Sequence, residues 1–366
     1  MDLARSRLVQ QHLAGPPCQA PEDVVASLLA VQAQDFAGAK WALAQRAEAG
    51  ADSKAQLAFD AGRILRTHVL RPTWHFVTPA DIRWLLALTA PRVHAASAYY
   101  FRQLGVDAAL AKRSKRRIER ALSRGAHLTR EELGQALGDK GRAMTGNRLA
   151  YVIIWAELDG LICSGAMRGK RHTYALLEQQ APSAPALARD EALASIALRY
   201  VSGHGPAQAR DLAWWSGLTL KDARRGLEAS KDSLERSEIG GNTYWAAPAR
   251  AAVRRRGPLV HLLPNYDELL IAFADRSAMI EPGIEPKISV LSAHFVVIDG
   301  RIVGGWKRTL TRHAVAIEAR LLRSLTAAER RALDGAAARY AASLGLELRL
   351  NTEQVDGERP EREARG

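Results

Sequence analysis

Cysteine is nearly absent: Cys18 and Cys163 are the only two in 366 residues, which excludes a disulfide framework and a cysteine-based zinc site and fits a reducing cytoplasm. No apolar run approaches the roughly 18 residues needed to cross a bilayer. Asp2, Arg5 and Arg7 precede no apolar signal core, so neither membrane insertion nor export is expected. The ten histidines form no His-Glu-x-x-His pair, and both a Gly-x-Ser-x-Gly elbow and a Gly-Lys-Ser/Thr phosphate loop are missing, so no metal and no cofactor are expected. Gly203-His-Gly205 lacks a third glycine and runs into Pro206, which reads as a turn with Pro206 opening a helix. Acidic residues are scarce, 39 against 52 Lys and Arg, giving a net charge of +13 and an isoelectric point near 10.1. Such a surface attracts polyanions, although arginine-rich genomes inflate the total and the position of the charge matters more. With 47% hydrophobic and 25% charged residues the chain is an ordinary soluble one, long enough for more than one domain.

The most informative segment present is Val31-Gln-Ala-Gln-Asp-Phe-Ala-Gly-Ala-Lys-Trp41. On a helix, residues at i and i+2 lie about 200° apart, so Gln32 and Gln34 share a target only where the backbone is extended or breaking. Residues 21–31 supply the preceding helix, with Pro21 first, Glu22 and Asp23 in the opening turn, and Val24, Val25, Leu28 and Leu29 on one face. Two amides delivered together from its C-terminal end can hold one water or one sugar.

Further along, two segments repeat one plan. His127-Leu-Thr-Arg-Glu-Glu-Leu opens with a Thr129 to Glu132 capping box, an amphipathic helix closed by Gly160 follows, and two short strands then surround Lys170. Downstream, a helix through Trp214 and Trp215, another over residues 220–230 and a hairpin turning at Gly240-Gly241-Asn242 follow the same order. Helix, turn, helix and basic-tipped hairpin is the winged-helix arrangement, in which the second helix or the wing meets DNA. The first third fits a further copy: helices over residues 4–13 and 21–31, then a wing over residues 64–78 around Arg71-Pro72-Thr73. Beyond it Arg113, Arg116, Arg117 and Arg120 fall on one helical face, either a solvated face or one that tracks phosphates, and the single sign favours the second.

From residue 257 the pattern becomes β-rich, and Asp299-Gly300 between two strand-like runs is a strong two-residue hairpin signal. The expected fold is α+β: tandem winged-helix domains followed by a small C-terminal β-barrel-like domain. The expected boundaries are 1–125, 126–180, 188–250 and 257–350, with a disordered polar tail over 351–366.

Taken in order, the Gln-Ala-Gln run, Leu70-Arg-Pro-Thr-Trp-His-Phe-Val77, Leu263-Pro-Asn-Tyr-Asp-Glu-Leu-Leu270, Asp275-Arg-Ser277 and Asp299-Gly-Arg-Ile-Val-Gly-Gly-Trp306 resemble the AlkZ-like winged-helix DNA glycosylases, which include the bacterial YcaQ-type enzymes. The resemblance covers nearly the whole chain. It implies tandem winged helices with a C-terminal barrel, a concave DNA-binding surface, and removal of N7- or N3-alkylated purines, including bulky adducts and interstrand crosslinks. It also implies that the family's catalytic motif, Gln, an aliphatic residue, then Gln or Asp, falls on Gln32, Ala33 and Gln34, the Gln-type branch typical of natural-product self-resistance. Pro72 departs from the glycine expected in many relatives, so the geometry of that wing is not carried over from the resemblance.

The chemistry suits a site without a base. Alkylation at N7 makes the purine cationic, so the glycosidic bond breaks through an oxocarbenium-like state with little acid catalysis. Paired amide oxygens can place a water and stabilise the sugar cation. Asp35 lies one residue out of the family's register and is expected to cap the break or pair with a basic neighbour. Trp74 and His75 fit either a contact to DNA or lesion or a place in the core, while Lys170 and Arg171 suit phosphate contacts better than base reading. Arg301, beside Asp299, belongs either to a groove-entering wedge or to a plain turn, which is favoured. With Lys40 the nearest lysine, a monofunctional hydrolase is expected, acting on double-stranded DNA containing alkylated purines as a cytoplasmic monomer bound to the nucleoid. The rival reading is a non-catalytic winged-helix transcription regulator, against which the chain lacks a heptad run and a sensor segment.

Overall fold

The computed structural model describes all residues except 1, 49, 140, 183–185, 249–256, 282–293 and 355–366. Three helix-plus-hairpin groups are followed by a larger sheet covered by one helix. In the first group, helices Leu3–Gln10, Pro21–Leu28, Phe36–Ala44 and Asp52–Asp60 surround a three-stranded sheet. Its hairpin, Leu65–His68 with Trp74–Val77, takes on the two-residue strand Val31–Gln32 along its free edge. Pro21 is the first residue of its helix as expected, but the helix ends at Leu28 and not at Val31. Leu29 adopts a left-handed φ of 67°, which a helix cannot continue, and the chain turns into the strand.

The second group joins helices Ile82–Gln103, Ala108–Ala121, Arg130–Leu137 and Gly146–Leu158 to a sheet of Leu128–Thr129, Ile162–Arg168 and Arg171–Leu176. The capping box is formed: Thr129 N–H donates to Glu132 Oε2 at 2.8 Å, and Glu132 N–H to Thr129 Oγ1 at 3.3 Å. The third group has helices Arg189–His204, Ala209–Ser216 and Leu220–Ala229 and the hairpin Glu235–Ile239 with Asn242–Ala246. Pro206 does not open a helix, because Gln208 is the N-cap of the segment that begins at Ala209. Helix Arg189–His204 crosses Pro21–Leu28 closely; at Gly203 a Cβ would stand 2.6 Å from the Ser27 carbonyl oxygen. No helix of the described residues is long and apolar enough to cross a membrane.

Among the described residues the C-terminal unit forms no closed barrel. Its five strands run in the order Glu347–Gln354, Ala314–Leu321, Arg301–Leu310, His294–Ile298, Val260–Leu263. The first two are parallel, joined by helix Ala327–Leu344 across one face. Leu333, Ala336, Ala337, Tyr340 and Ala341 of that helix fill the core with Leu262, Val296, Val303, Trp306 and Ile317, so the apolar face is covered without the sheet closing on itself. Residues 351–354, expected in a tail, belong to the parallel edge strand, whose exposed polar residues suit an edge; residues 355–366 lie outside the described residues. The Asp299-Gly300 turn forms as expected but packs on the first helix, where a Cβ at Gly300 would stand 2.8 Å from the Ala4 carbonyl oxygen.

Candidate active site

Gln32 and Gln34 extend from the strand Val31–Gln32, with Ala33 between them held on both sides. Ala33 N–H donates to the Trp74 carbonyl at 2.8 Å, and the Ala33 carbonyl accepts from Arg66 Nε at 3.0 Å. The extended backbone inferred from the i, i+2 spacing is present, but it comes from pairing with Trp74–Val77 and not from a fraying helix end. The two amides differ in setting: Gln34 is exposed, with its Oε1 3.4 Å from the Trp74 N–H, whereas Gln32 retains only 8% exposure.

Gln32 is anchored from 236 residues away. Its backbone N–H donates to Glu268 Oε1 at 2.7 Å, while Glu268 Oε2 accepts from the Trp215 indole at 2.9 Å and lies 3.4 Å from His204 Nε2. Burial works against the Glu268 charge, but the His204 ring and the Gln32 N–H outweigh it and hold the carboxyl below its ordinary value. Beside it the buried Asp267 receives Arg46 at 2.7 and 2.9 Å, and the three remaining Arg46 N–H groups go to Gln11 O, Gln11 Oε1 and Ala42 O. Trp41 Nε1 donates to Leu262 O at 2.7 Å. The loop 263–268 is thereby fixed against the Gln-Ala-Gln strand. Within it Tyr266 has a left-handed φ of 64° and is 40% exposed. Sequence reasoning carried this loop only as a family motif and gave Glu268, Asp267, Arg46 and Tyr266 no role; an adjacent acidic pair between apolar residues was the available signal.

Asp35 caps helix Phe36–Ala44, accepting from Gly38 N–H at 3.0 Å, and has Arg308 Nη2 at 3.9 Å. Lys40 is committed to Asp52 at 2.7 Å and Gln56 at 3.1 Å. Trp74 is half-buried, with the Arg66 guanidinium 4.3 Å from its ring centre and its Nε1 3.4 Å from Glu157 Oε1. Arg66 loses proton affinity through burial, down to about 10, with Glu157 opposing the change. His75, read as a possible DNA contact, has no exposed surface, because it fills the row between Gln32 and Thr67 in the middle of the sheet. Arg71, expected as a DNA contact, is mostly buried and, like Arg66, has its proton affinity reduced by desolvation, against the pull of Glu268.

The second hairpin approaches this site: His172 meets Phe36 edge-on at 4.7 Å, and Met167 N–H donates to Asp60 at 2.7 Å. Lys170 and Arg171 stand exposed at its tip. Arg113 and Arg116 are exposed on helix Ala108–Ala121, while Arg117 spends Nη1 on the carbonyls of Leu137 and Gly138. Arg301 stands apart, in the hairpin packed against the first helix. Among the described residues no group of three or more His, Cys, Asp or Glu is placed to hold a metal ion.

The family model for AlkZ-like DNA glycosylases matches residues 25–343. A curated relative from Streptomyces sahachiroi, named interstrand DNA cross-link repair glycosylase, is 24% identical over 318 residues, 82% of this chain and 85% of its own. The solved structure of Streptomyces sahachiroi DNA glycosylase AlkZ aligns with a TM-score of 0.77 at 23% identity, covering 96% of this chain and 98% of that one.

Proposed function

Because the chain belongs to the AlkZ-like DNA glycosylase family and is thereby a DNA N-glycosylase, we propose that it is a monofunctional enzyme that hydrolyses the glycosidic bond of N7- or N3-alkylated purines, bulky adducts and interstrand crosslinks included. The observation that carries the reading is the fixed strand bearing two amides and no free nucleophile, with Gln34 at the surface and Gln32 tied to Glu268 beneath it. A cationic purine already leaves readily, so the amide oxygens need only hold a water and face the developing sugar cation. The same limitation restricts the enzyme to labile lesions, since Asp35, the acid beside the pair, is engaged by the Gly38 N–H and Arg308 and is not held ready to protonate an unmodified guanine.

The crosslink substrate is supported by the name of the Streptomyces sahachiroi relative. We assign the three helix-plus-hairpin groups to winged helices, the second of them taking in helices Ile82–Gln103 and Ala108–Ala121, which the expected 1–125 boundary places with the first, and followed by a C-terminal unit over 257–354. Lys170 and Arg171 at the tip of the second hairpin, Arg113 and Arg116 on the basic helix, and Trp74 at the edge of the site are the DNA contacts in this reading, with the enzyme acting as a cytoplasmic monomer. A transcription regulator would leave the anchored amide pair without a purpose. Release of free 7-methylguanine from a methylated duplex by the purified protein tests the assignment; an intact base after prolonged incubation, together with sequence-selective binding to undamaged DNA, would favour the regulator.

A further inference from the structure

Gln32, His75 and Thr67 form one row across the three strands of the N-terminal sheet, so their side chains project from the same face. All three are buried, and Gln32 Oε1, His75 Nε2 and Thr67 Oγ1 are each enclosed without a hydrogen-bond partner. His75 Nδ1 lies 3.0 Å from the Thr73 carbonyl, which can only accept, so Nδ1 carries the proton and Nε2 presents a bare lone pair. Burial, with the Arg71 charge in support, holds the imidazole down to about 3 and therefore neutral near pH 7. Two acceptors are thus set opposite each other on adjacent strands, where directly paired residues have Cβ atoms about 4.5–5.5 Å apart.

A carboxamide turned by half a revolution exchanges O and N with almost no change of shape. For Gln32 this turn brings an N–H to the His75 lone pair, removes both unmatched acceptors at once, and leaves the oxygen on the side where the residue keeps its 8% exposure. We infer that His75 is a positioning residue for Gln32: it accepts from the Gln32 carboxamide nitrogen and so fixes the Gln32 oxygen outward, toward water and sugar. This deepens the glycosylase reading and rests on it, since an outward oxygen matters only where a cationic sugar must be stabilised.

The hydrogen bond is tested without reference to activity. In a spectrum of side-chain amides, with the Gln32 pair identified by its loss in Gln32→Ala, one of its two protons should exchange with solvent at least about tenfold more slowly than the other. Both protons exchanging at solvent rate would overturn the inference, because an oxygen left facing Arg71, or a His75 satisfied by Thr67, gives that result. The consequence is read in single-turnover excision of 7-methylguanine. His75→Leu should lose about tenfold or more in rate while lesion-DNA affinity stays within about twofold. His75→Gln, which returns an acceptor at similar reach, should recover most of the rate, and adding His75→Leu to Gln32→Ala should cost nothing more. Multiplying losses in the double variant, or His75→Gln failing as fully as His75→Leu, would refute it. A wild-type protein with a protected Gln32 proton but no excision would instead count against the glycosylase assignment.

Discussion

Replacing Glu268 with glutamine changes one oxygen for an NH2 group in a side chain that accepts two N–H donors, Gln32 at 2.7 Å and the Trp215 indole at 2.9 Å, one on each oxygen. A carboxamide has a single acceptor, so one of those donors must face another donor in a fully buried place. Losing one charge-assisted hydrogen bond and stranding its partner costs about 2–4 kcal/mol. The loss should appear as a lower urea midpoint at pH 7 with an unchanged slope. Because the folded carboxyl sits below its ordinary value of 4.5, its stabilisation is fully present above that pH and fades as pH falls through the lower folded value. The gap between the two proteins should therefore hold from pH 7 to about 5 and narrow below it. Excision should slow more than DNA binding weakens, since the Gln32 strand shifts while the basic surface does not. Equal midpoints at pH 7, or a gap that persists unchanged at pH 3.5, would refute the anchoring argument.

Gln34→Ala is expected to bind lesion DNA normally while losing about 100-fold in excision, the scale seen when one group stabilising transition-state charge is removed; parallel loss of binding would make the pair structural. Borohydride added during turnover should trap no covalent adduct, because Lys40 is held by Asp52 and Gln56, and an adduct mapped to Lys40 would reverse the mechanism. Arg116→Ala should lower the slope of log affinity against log salt by about 0.9, the value for one phosphate contact, with no change in lesion preference; an unchanged slope removes the basic helix from the interface.

Local chemistry made much of this fold legible. The capping box at Thr129, the Asp299-Gly300 turn and the hairpins each depend on residues a few positions apart. The spacing of Gln32 and Gln34 likewise implied extended backbone. What stayed hidden depends on distant partners. A two-residue strand such as Val31–Gln32 exists only because Trp74–Val77 offers an edge, and no pattern within residues 21–34 reveals that. Alternation in the last third promised strands, but the barrel expected of them is not what the described residues form, because helix Ala327–Leu344 covers the sheet instead. His75 looks like a wing-tip aromatic by composition, and its burial follows from receiving a strand on either side. Glu268 reads as one acid among several until the loop that carries it folds back onto Gln32.

The 236-residue span between the Gln32 amide and Glu268 has a consequence for the life of the polypeptide. A ribosome finishes the amide-bearing strand long before it makes the carboxylate that braces it, so an unfinished or truncated product is left with an unbraced strand. Base removal is a hazardous activity for undamaged genomes, and here the amide-bearing strand is braced only once synthesis has passed Glu268.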